Sequence, residues 1–390
     1  MANLSSTTIL MVSGEASGDL HGGNLAREIF TRLPQAKIYG LGGPQMQRAG
    51  VQVIGDINNL AVVGISEVLI HWRAIWQTFR FLRKFIKESR PDLIVLIDYP
   101  DFNLRLAKVA KKEQIRVLYY ISPQVWAWRR WRIKTMAQYV DILLVVFAFE
   151  LSFYQEQRFK RKSKLDVRFV GHPLVDIVRP NCSREKTCFQ LGVDPRKPII
   201  GLLPGSRRSE VSRILPSLLK AAQKLIQKRQ DIQFLLALAP TISYAEVEPY
   251  LQKVRKTLPI SCHADRTYDI ISISDLVLVS SGTATLETAL LNTPMVLIYR
   301  LSPLSYLLGK LLIRVPYIGL VNLVAGKKII PELIQHQASP EKIASLADAL
   351  LQNLKGREIM RQEFQKVREK LGEFGSSGRA ADIVLEILEQ

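Results

Sequence analysis

The sequence predicts an α/β fold in which two parallel β-sheets are each covered by helices. Short apolar runs rich in β-branched residues recur along the chain, and each is followed by a longer segment with helical spacing. The runs are nearly continuous rather than alternating, which is typical of parallel strands that are buried on both faces. A proline-containing stretch over 173–197 divides the series in two. Because 390 residues suffice for two domains of ordinary size, we expect two Rossmann-like domains.

The predicted strands follow one another in two series. The first comprises Thr7–Val12, Lys37–Leu41, Leu93–Asp98, Arg116–Ile121, Asp141–Val146 and Arg168–Val170, and the second comprises Ile199–Leu203, Gln233–Leu238, Leu276–Ser280 and Met295–Tyr299. We therefore expect a first domain over 1–172, a linker over 173–197 and a second domain over 198–371. A C-terminal helix over 372–390 either crosses back or is exchanged in a dimer. Ligands of such sheets lie beyond the carboxyl ends of the strands, so the cleft between the domains is the expected site.

The chain is strongly basic, with a formal net charge of +19. A charge of this size favours an anionic partner, and three classes fit: nucleic acid, anionic lipid and phosphorylated substrates. A basic surface kept only for solubility is the alternative. The charge alone does not choose among the three partners.

The cellular compartment is indicated by three weaker features. The three cysteines are an odd number without metal-ligand spacing, which indicates a reducing compartment. The N-terminus lacks the features of a signal peptide. No run of about 18 uncharged apolar residues occurs, so we expect no transmembrane helix. These features predict a cytoplasmic protein.

Two glycine turns in the second half are candidates for binding a nucleotide diphosphate. In Ile200–Arg207 a strand runs into a turn, at which Gly205 permits a ligand to approach the backbone closely. The turn places Ser206 and Arg207 at the carboxyl end of the strand, and the guanidinium of Arg207 can hold a diphosphate. In Val279–Glu287 a buried strand ends at Ser281 and Gly282, and a helix begins over Thr283, Ala284 and Thr285 with its N–H groups accessible to an anion. Glu287 lies further into this helix and can accept both hydroxyls of a ribose. Ordinary strand-to-helix turns are the alternative; the pair favours the nucleotide.

The first half opens with an acidic glycine loop, which suits a sugar better than a phosphate. The segment Ser13–Asp19 follows the first strand, where a dinucleotide fingerprint would lie, but Glu15 and Asp19 would repel a pyrophosphate. Ser13 and Ser17 add hydroxyls. A plain turn with Asp19 as a helix cap is the alternative, and both interpretations stay open.

A second acidic segment follows the third predicted strand. Asp98 and Asp101 lie just past a buried run, with Asn103 after them. A carboxylate at the end of a strand is well placed to act as a general base. Asp101 precedes a helix and can serve as its cap, so Asp98 is the predicted base. No metal constellation accompanies these residues, and neither a metal nor an organic cofactor is expected.

The segment Tyr120–Trp128 clusters a glutamine and two tryptophans after another buried strand. Gln124 and Trp126 are candidates for the acceptor side, because such rings stack on sugar faces and acyl chains. Core packing is the alternative, and it would require a partner for each indole N–H.

The segment Glu67–Glu88 predicts a basic amphipathic helix. Its apolar stripe packs on the sheet through Phe79, Leu82 and Ile86. Arginines and lysines lie away from the centre of this stripe. The N-terminal end of the helix predicts an exposed membrane patch, formed by Val68, Leu69, Trp72, Ile75 and Trp76.

Seven motifs together resemble the lipid-A-disaccharide synthase family, the sole member of glycosyltransferase family 19. They keep the order and spacing of the family over almost the whole chain: Ser13–Asp19, Gly42–Met46, Asp98–Asn103, Ser122–Trp128, Phe169–His172, Leu203–Arg207 and Ser281–Glu287. Departures are few: Ala148 and Val321 stand where the family usually or often has proline. The resemblance implies a GT-B fold, two Rossmann-like domains facing across a cleft, with the donor on the second. It also places Asn322 on the donor side.

The resemblance implies a reaction and partners as well. UDP-2,3-diacylglucosamine would give its sugar to the 6-hydroxyl of 2,3-diacylglucosamine 1-phosphate (lipid X), forming a β-1,6 disaccharide and UDP with inversion. Asp98 would act as the base, and Arg207 would stabilise the leaving UDP without a metal. The enzyme would lie peripherally on an anionic membrane, on the cytoplasmic face of the plasma membrane. The family is described as a dimer that exchanges C-terminal segments, so a homodimer is an expectation.

Two alternatives remain at the level of the sequence. One is another GT-B nucleotide-sugar enzyme, either a transferase or an epimerase, which needs no membrane-seeking surface. The other is a nucleic-acid-binding protein, suggested by six basic residues in Arg158–Arg168. No nucleic-acid motif accompanies that stretch, so nucleic acid is not the expected partner.

Overall fold

Two parallel sheets organise the chain in the computed structural model, which describes residues 7–56, 65–161, 165–303, 306–307 and 315–390. One unit contains the described residues up to Asp176 together with Leu371–Gln390, and the other is Ile177–Lys370. Each unit has its own sheet and its own hydrophobic core. The predicted α/β class with two parallel-sheet units is confirmed.

The first unit is built on a seven-stranded sheet. Its strands are β1 (Thr8–Ser13), β2 (Lys37–Gly42), β3 (Gln52–Asp56), β4 (Leu93–Ile97), β5 (Arg116–Tyr120), β6 (Ile142–Val145) and β7 (Asp166–Phe169). They lie parallel in the order β3-β2-β1-β4-β5-β6-β7. Its helices are α1 (Ala16–Arg32), α2 (Pro44–Arg48), α3 (Ile65–Ser89), α4 (Pro100–Lys112), α5 (Arg132–Tyr139), α6 (Ala148–Arg161) and α7 (Leu174–Ile177), the last crossing the boundary between the units. The apolar run of β4 is buried throughout, as expected for a central strand covered on both faces.

The second unit repeats this plan with six parallel strands. They are β8 (Ile199–Leu203), β9 (Gln233–Leu238), β10 (Ile260–Ala264), β11 (Leu276–Ser280), β12 (Met295–Tyr299) and β13 (Glu332–Ile334), in the order β10-β9-β8-β11-β12-β13. The helices are α8 (Arg184–Leu191), α9 (Arg208–Lys228), α10 (Tyr244–Gln252), α11 (Thr267–Ile273), α12 (Ala284–Leu290), α13 (Leu320–Ala325), α14 (Pro340–Gln352) and α15 (Leu354–Leu371).

Each sheet has a switch point at which the strand order reverses. In the first sheet it lies between β1 and β4, and in the second between β8 and β11. Ligands of open α/β sheets bind beyond the carboxyl ends of the strands at such points. The topology therefore directs attention to the loops that follow β1, β4, β8 and β11.

The expected linker 173–197 is largely part of the second unit. Its residues from Ile177 onward belong there and include α8, which packs on α11. Arg184 donates a hydrogen bond to the Ile273 carbonyl (2.5 Å), and the backbone N–H of Asn181 donates to the buried carboxylate of Asp269 (2.8 Å). These contacts give the segment a defined structure in spite of its prolines.

The last helix, α16 (Ser376–Glu389), packs on the first unit. Asp176 caps its N-terminal end, accepting hydrogen bonds from the backbone N–H groups of Gly375 (2.7 Å) and Ser376 (3.0 Å). Further along the helix, Asp382 pairs with Arg32 at 2.6 Å. The C-terminal segment of the described chain thus returns to the first unit. Within the described part of the chain, no helix is both long enough and apolar enough to span a bilayer.

Candidate functional site

Three loops meet at the carboxyl edge of the first sheet. In the register of the sheet Ser13 pairs with Ile97, and Ile97 pairs with Tyr120, so β1, β4 and β5 end side by side. The ends of these strands and the segments that follow them carry all the residues predicted for the acceptor side. The structure therefore brings that set to one edge of the first unit, at its switch point.

Asp98 is the first residue after β4, and its surroundings make it a stronger base than an ordinary aspartate. The side chain is only partly exposed, and protein surrounds its carboxyl group closely. Burial and, second, the negative charge of Glu15 raise the pKa of Asp98 to about 6, against a hydrogen bond from the backbone of Tyr99 that lowers it. Such a carboxyl is still mostly ionised at neutral pH yet accepts a proton more readily than free aspartate.

The backbone that carries Asp98 is held in an unusual conformation. Asp98 and Tyr99 have φ angles of +46° and +48°, in the left-handed region that non-glycine residues rarely adopt. Each such residue costs on the order of 1 kcal/mol or more and persists only where its surroundings enforce it. Here the Asn103 amide donates hydrogen bonds to the carbonyls of Ile97 (3.2 Å) and Asp98 (2.7 Å), and the Tyr119 hydroxyl donates to the carbonyl of Asp98 (2.5 Å).

The second acid of this segment, Asp101, is engaged in ion pairs. It is exposed in the first turn of α4, and its carboxylate pairs with Arg129 (3.1 Å) and with the buried Arg132. Asp101 therefore lacks the burial of Asp98, and its carboxylate is occupied by two arginines. This difference supports Asp98 as the base.

Asp19 caps a neighbouring helix. Its buried carboxylate accepts hydrogen bonds from the backbone N–H groups of Gly43 (2.7 Å), Gln45 (2.9 Å) and Met46 (3.0 Å), which form the start of α2. Asp19 itself lies one turn inside α1, where Glu15 is the N-cap residue. Asp19 thus acts as a helix cap, as the capping interpretation expected, although it caps α2 and not its own helix. A role for it on the acceptor side stays a prediction.

The two serines of the acidic loop differ in exposure. Ser17 is exposed in the first turn of α1 and is free to meet a ligand on steric grounds. Ser13 is buried, and its hydroxyl donates to the carbonyl of Leu41 (3.3 Å). Roles for both on the acceptor side stay predictions, with Ser17 the more accessible of the two.

Trp126 has the partner that core packing requires. Its ring is buried, and its Nε1–H donates to the Glu150 carboxylate (2.9 Å), which also accepts from the backbone N–H groups of Val146 (3.3 Å) and Phe147 (3.2 Å). Burial raises the pKa of Glu150 to about 7, in spite of these hydrogen bonds. Gln124, by contrast, is exposed. A role for Trp126 on the acceptor side stays a prediction, whereas its part in packing is observed.

The turn after β8 presents Arg207 to solvent. Gly205 has φ +120°, and a Cβ there would lie 2.5 Å from a carboxylate oxygen of Glu210, so only glycine fits. That carboxylate accepts from the Ser206 backbone N–H (3.2 Å) and approaches the Arg207 guanidinium (3.5 Å). Arg207 is 53% exposed and has ample capacity left for an anionic ligand.

The turn after β11 lies next to it, because Val279 pairs with Leu203 in the sheet. Gly282 has φ +135° with open space around it, and α12 begins at Ala284 after the exposed Thr283. The Thr285 side chain turns back onto the Gly282 carbonyl (2.8 Å), and the Ser281 hydroxyl donates to the Ile318 carbonyl (3.3 Å).

Glu287 lies in the first turn of α12 and has one hydrogen-bond partner that no motif indicated. The Tyr268 hydroxyl donates to its carboxylate at 3.1 Å, and burial raises the pKa of Glu287. Glu287 is partly exposed, so a hydroxyl of a ligand can still reach it in addition to that of Tyr268.

Asn322 uses its whole side chain within its own unit. The buried amide nitrogen donates to the Ile330 carbonyl (3.1 Å) and to Glu332 (2.9 Å). The amide oxygen accepts from the backbone N–H groups of Ile329 (2.8 Å) and Ile330 (3.0 Å). Contact between Asn322 and the donor stays a prediction; the observed role is to shape the 322–332 turn.

Helix α3 carries the expected membrane patch, of which only part can be described. Val68 and Leu69 have side chains outside the described residues. Trp72 and Trp76 are 53% and 51% exposed, each with an arginine near its ring. Ile75 differs from the expectation: it is partly buried and packs on the core of the first unit. It shares helical spacing with Phe79, Leu82 and Ile86, which pack there as predicted.

Two other features bear on the alternatives. Of the basic stretch 158–168, Arg168 is paired with Glu386 (2.5 Å) and Asp166 (2.8 Å), while residues 162–164 lie outside the described part. Among the described residues, no group of three or more histidines, cysteines or acids is placed to hold a metal ion.

Tyr119 and Glu150 are the residues of interest that sequence reasoning missed. Tyr119 reads as one aromatic among the buried residues of a strand, and nothing in the pattern shows that its hydroxyl reaches Asp98. Glu150 did leave a signal, because it is a lone acid that follows the apolar run of β6 and two phenylalanines. An acid in such a position has to find partners inside the protein.

Comparison with known proteins identifies the family. A family model described as lipid-A-disaccharide synthetase matches residues 9–387. Lipid-A-disaccharide synthase of Geobacter sulfurreducens is 46% identical over 388 residues, covering 100% of this chain and 99% of that protein. The enzyme of the same name from Coxiella burnetii is 39% identical, covering 99% and 100%.

Solved structures with low sequence identity share the fold. A glycosyltransferase from Rickettsia africae has a TM-score of 0.59 at 14% identity, covering 99% of both chains. UDP-GlcNAc 2-epimerase from Neisseria meningitidis has a TM-score of 0.60 at 10% identity, covering 98% of this chain and 99% of that one. The fold is that of GT-B glycosyltransferases and epimerases, and with the full-length match to the family model and its relatives the chain belongs to the lipid-A-disaccharide synthase family of glycosyltransferases.

Proposed function

We propose that this glycosyltransferase of lipid A biosynthesis transfers 2,3-diacylglucosamine from UDP-2,3-diacylglucosamine to lipid X. The product is the β-1,6-linked disaccharide 1-phosphate, and UDP is released. The observation that carries the proposal is Asp98, a carboxyl at the switch point of the first sheet whose pKa is raised to about 6 by burial and by Glu15. Family membership supplies the choice of substrates.

The proposed step is a single displacement. The 6-hydroxyl oxygen of lipid X bonds to the anomeric carbon of the donor as the bond from that carbon to the UDP oxygen breaks. The hydroxyl proton passes to Asp98, and the electron pair of the broken bond leaves with UDP. Because attack comes from the face opposite the leaving group, an α-linked donor gives a β-linked product. Charge spreads over an oxocarbenium-like sugar in the transition state.

On the donor side, the proposal assigns the two glycine turns of the second unit to UDP. Arg207 is exposed and multidentate, so it would meet the charge that develops on the leaving diphosphate. Backbone N–H groups around Gly282 to Ala284 would add neutral donors. Glu287, already bonded to Tyr268, would accept the ribose hydroxyls.

The location proposed for the enzyme is the cytoplasmic face of the plasma membrane. Both proposed substrates carry acyl chains and reside in a bilayer. Exposed Trp72 and Trp76 with nearby arginines are the kind of surface that inserts at a lipid interface and attracts anionic lipid. A net charge of +19 acts in the same direction.

Product analysis tests this function. The protein is incubated with both acylated substrates, and the products are identified by mass spectrometry, with the anomeric configuration read by proton NMR. We expect a β-linked tetraacyl disaccharide 1-phosphate and one UDP per disaccharide, only when both substrates are present. An epimerised UDP-sugar formed without acceptor would instead establish the alternative activity, and absence of the disaccharide when both substrates are present would refute the proposal.

A further inference from the structure

The main-chain carbonyl of Asp98 is bound by two side chains from two different elements. The Tyr119 hydroxyl, on β5, donates to it at 2.5 Å, and the Asn103 amide, on α4, donates to it at 2.7 Å. A carbonyl oxygen has two lone pairs, so this acceptor is saturated. Both side chains are buried, and neither hydrogen bond involves the Asp98 carboxyl.

These contacts fall where the chain most needs them. Asp98 and Tyr99 are consecutive left-handed residues, and a loop of this kind relaxes unless its neighbours hold it. Asn103 also donates to the Ile97 carbonyl at 3.2 Å, so one amide group binds two successive carbonyls at the end of β4. Only the nitrogen of the amide can donate, which fixes its orientation against these two acceptors.

The neighbouring contacts further limit the loop. A Cβ on Gly14 would lie 2.3 Å from the Tyr99 ring, so the β1 loop packs directly against that side chain. The loop is thus held at its carbonyl by β5 and α4 and at the Tyr99 ring by the β1 loop.

We propose that Tyr119 and Asn103 are positioning residues that clamp the Asp98 carbonyl and thereby fix where the Asp98 carboxylate meets the acceptor hydroxyl. The inference rests on the proposed role of Asp98 as the base. It assigns Tyr119 a function in the reaction although its hydroxyl is buried and directed at the backbone. For Asn103, the proposal replaces the predicted contact with the acceptor by a role in holding the base in place.

Tyr154 provides a matched control for Tyr119. It is likewise a buried tyrosine of the same core, and its hydroxyl is hydrogen-bonded to the Ser122 hydroxyl at 2.7 Å instead of to the Asp98 loop. Substitution of either tyrosine by phenylalanine removes one buried hydroxyl and little volume. A general effect on the core would therefore appear in both variants.

The test is a double-mutant cycle on turnover. Tyr119→Phe and Tyr154→Phe are made in the wild-type and in the Asp98→Asn background, and kcat, KM and UDP affinity are measured. We expect Tyr119→Phe to lower kcat by about ten- to a hundredfold with KM and UDP affinity within about twofold, because a misplaced base slows the chemical step. In the Asp98→Asn background the same change should have no further effect, because the group being positioned is gone. Tyr154→Phe should keep the kcat of its parent in both backgrounds.

Three outcomes would overturn the inference. A kcat of Tyr119→Phe equal to that of the wild type would show that the Tyr119 hydroxyl does not position the base. An equal loss of kcat in the wild-type and Asp98→Asn backgrounds would show that its role is purely structural. Should Tyr119→Phe not fold, the same cycle with Asn103→Ala decides, with the same expectations. Near-normal turnover of Asp98→Asn itself would instead refute Asp98 as the base, and the clamp with it. A large loss in Asp98→Asn beside a normal Tyr119→Phe would refute the clamp alone.

Discussion

Asp98 and Asp101 are the same residue type three positions apart, and their surroundings give them different chemistry. Asp98 is enclosed near Glu15, so its pKa is raised to about 6, whereas Asp101 is exposed and paired with two arginines. The sequence indicated both as candidates for the base because both follow the same buried strand. Only the neighbours brought in by β1 and α5 separate them.

The raised pKa of Asp98 predicts how the reaction depends on pH. Once it is protonated, the Asp98 carboxyl cannot take up the proton of the attacking hydroxyl. We therefore expect kcat/KM to fall as the pH drops through about 6 and to reach a plateau above it. Glu15→Gln removes a negative neighbour and should move this midpoint to lower pH. A pH–rate profile of both proteins checks this. A wild-type midpoint near 4, or one that Glu15→Gln leaves in place, would contradict the assignment.

Arg207 should act on the donor through its charge. Arg207→Ala should weaken UDP binding by about tenfold or more, because charge-assisted hydrogen bonds to the diphosphate are lost. Arg208, which pairs with Glu246 at 2.6 Å, is the neighbouring control, and Arg208→Ala should change UDP affinity by less than about threefold. Calorimetric titration with UDP measures both.

Chelation of metal ions tests whether the leaving UDP is stabilised without a metal. If Arg207 and backbone N–H groups are sufficient for the leaving group, EDTA should leave turnover unchanged. Activity that EDTA abolishes and a divalent ion restores would show that the charge on UDP is met by a metal.

At the scale of elements, α3 combines two faces with different tasks. The helix was predicted over 67–88 and is observed over Ile65–Ser89, with Leu82 and Ile86 fully buried. The extent of the inward face was underestimated, because Ile75 also packs inward. A periodic pattern shows where the stripe runs but not how far along the helix the sheet continues beneath it.

The outward face of α3 predicts membrane binding. Trp72→Ser combined with Trp76→Ser should lower the affinity for phosphatidylglycerol vesicles by about tenfold or more while circular dichroism stays unchanged. Phe81 is also exposed, at 47%, but lies on a different side of the helix, so Phe81→Ser should bind as wild type does. Vesicle co-sedimentation measures all three. Equal binding by the double variant and wild type would show that these tryptophans serve another purpose.

Every central strand of the two described sheets was predicted, whereas of their four edge strands only β7 was. All ten predicted strands are present, with ends within two residues, but β3, β10 and β13 were missed. These three are edge strands of their sheets. An edge strand is covered on fewer sides, so it needs no apolar run: β10 contains Ser261, Cys262 and His263, and β13 has three residues. The signal that served for the central strands is absent from them.

At the scale of the whole molecule, the sequence was sufficient to place the candidate residues just after strands, and the strand order of the structure shows that these strand ends lie at the switch points. Asp98 and Gly14 follow β4 and β1, and Gly205 and Gly282 follow β8 and β11. What the sequence could not provide was the use of polar side chains inside the protein. Asp19, Trp126 and Asn322 were predicted to meet ligands, and each is observed with its polar atoms bonded to its own unit. Such bonds join residues distant in sequence, and no local pattern records them.

The central claim is that Asp98 removes the proton from the acceptor hydroxyl. The most direct test is the turnover of Asp98→Asn, measured from the disaccharide formed, together with its affinity for UDP. The account predicts that turnover falls by roughly two to four orders of magnitude, because the amide cannot accept the proton, while UDP affinity stays within about twofold. Asp101→Asn should lose less. Near-normal turnover of a correctly folded Asp98→Asn would remove Asp98 from the mechanism and transfer the role of base to Asp101 or Asp19.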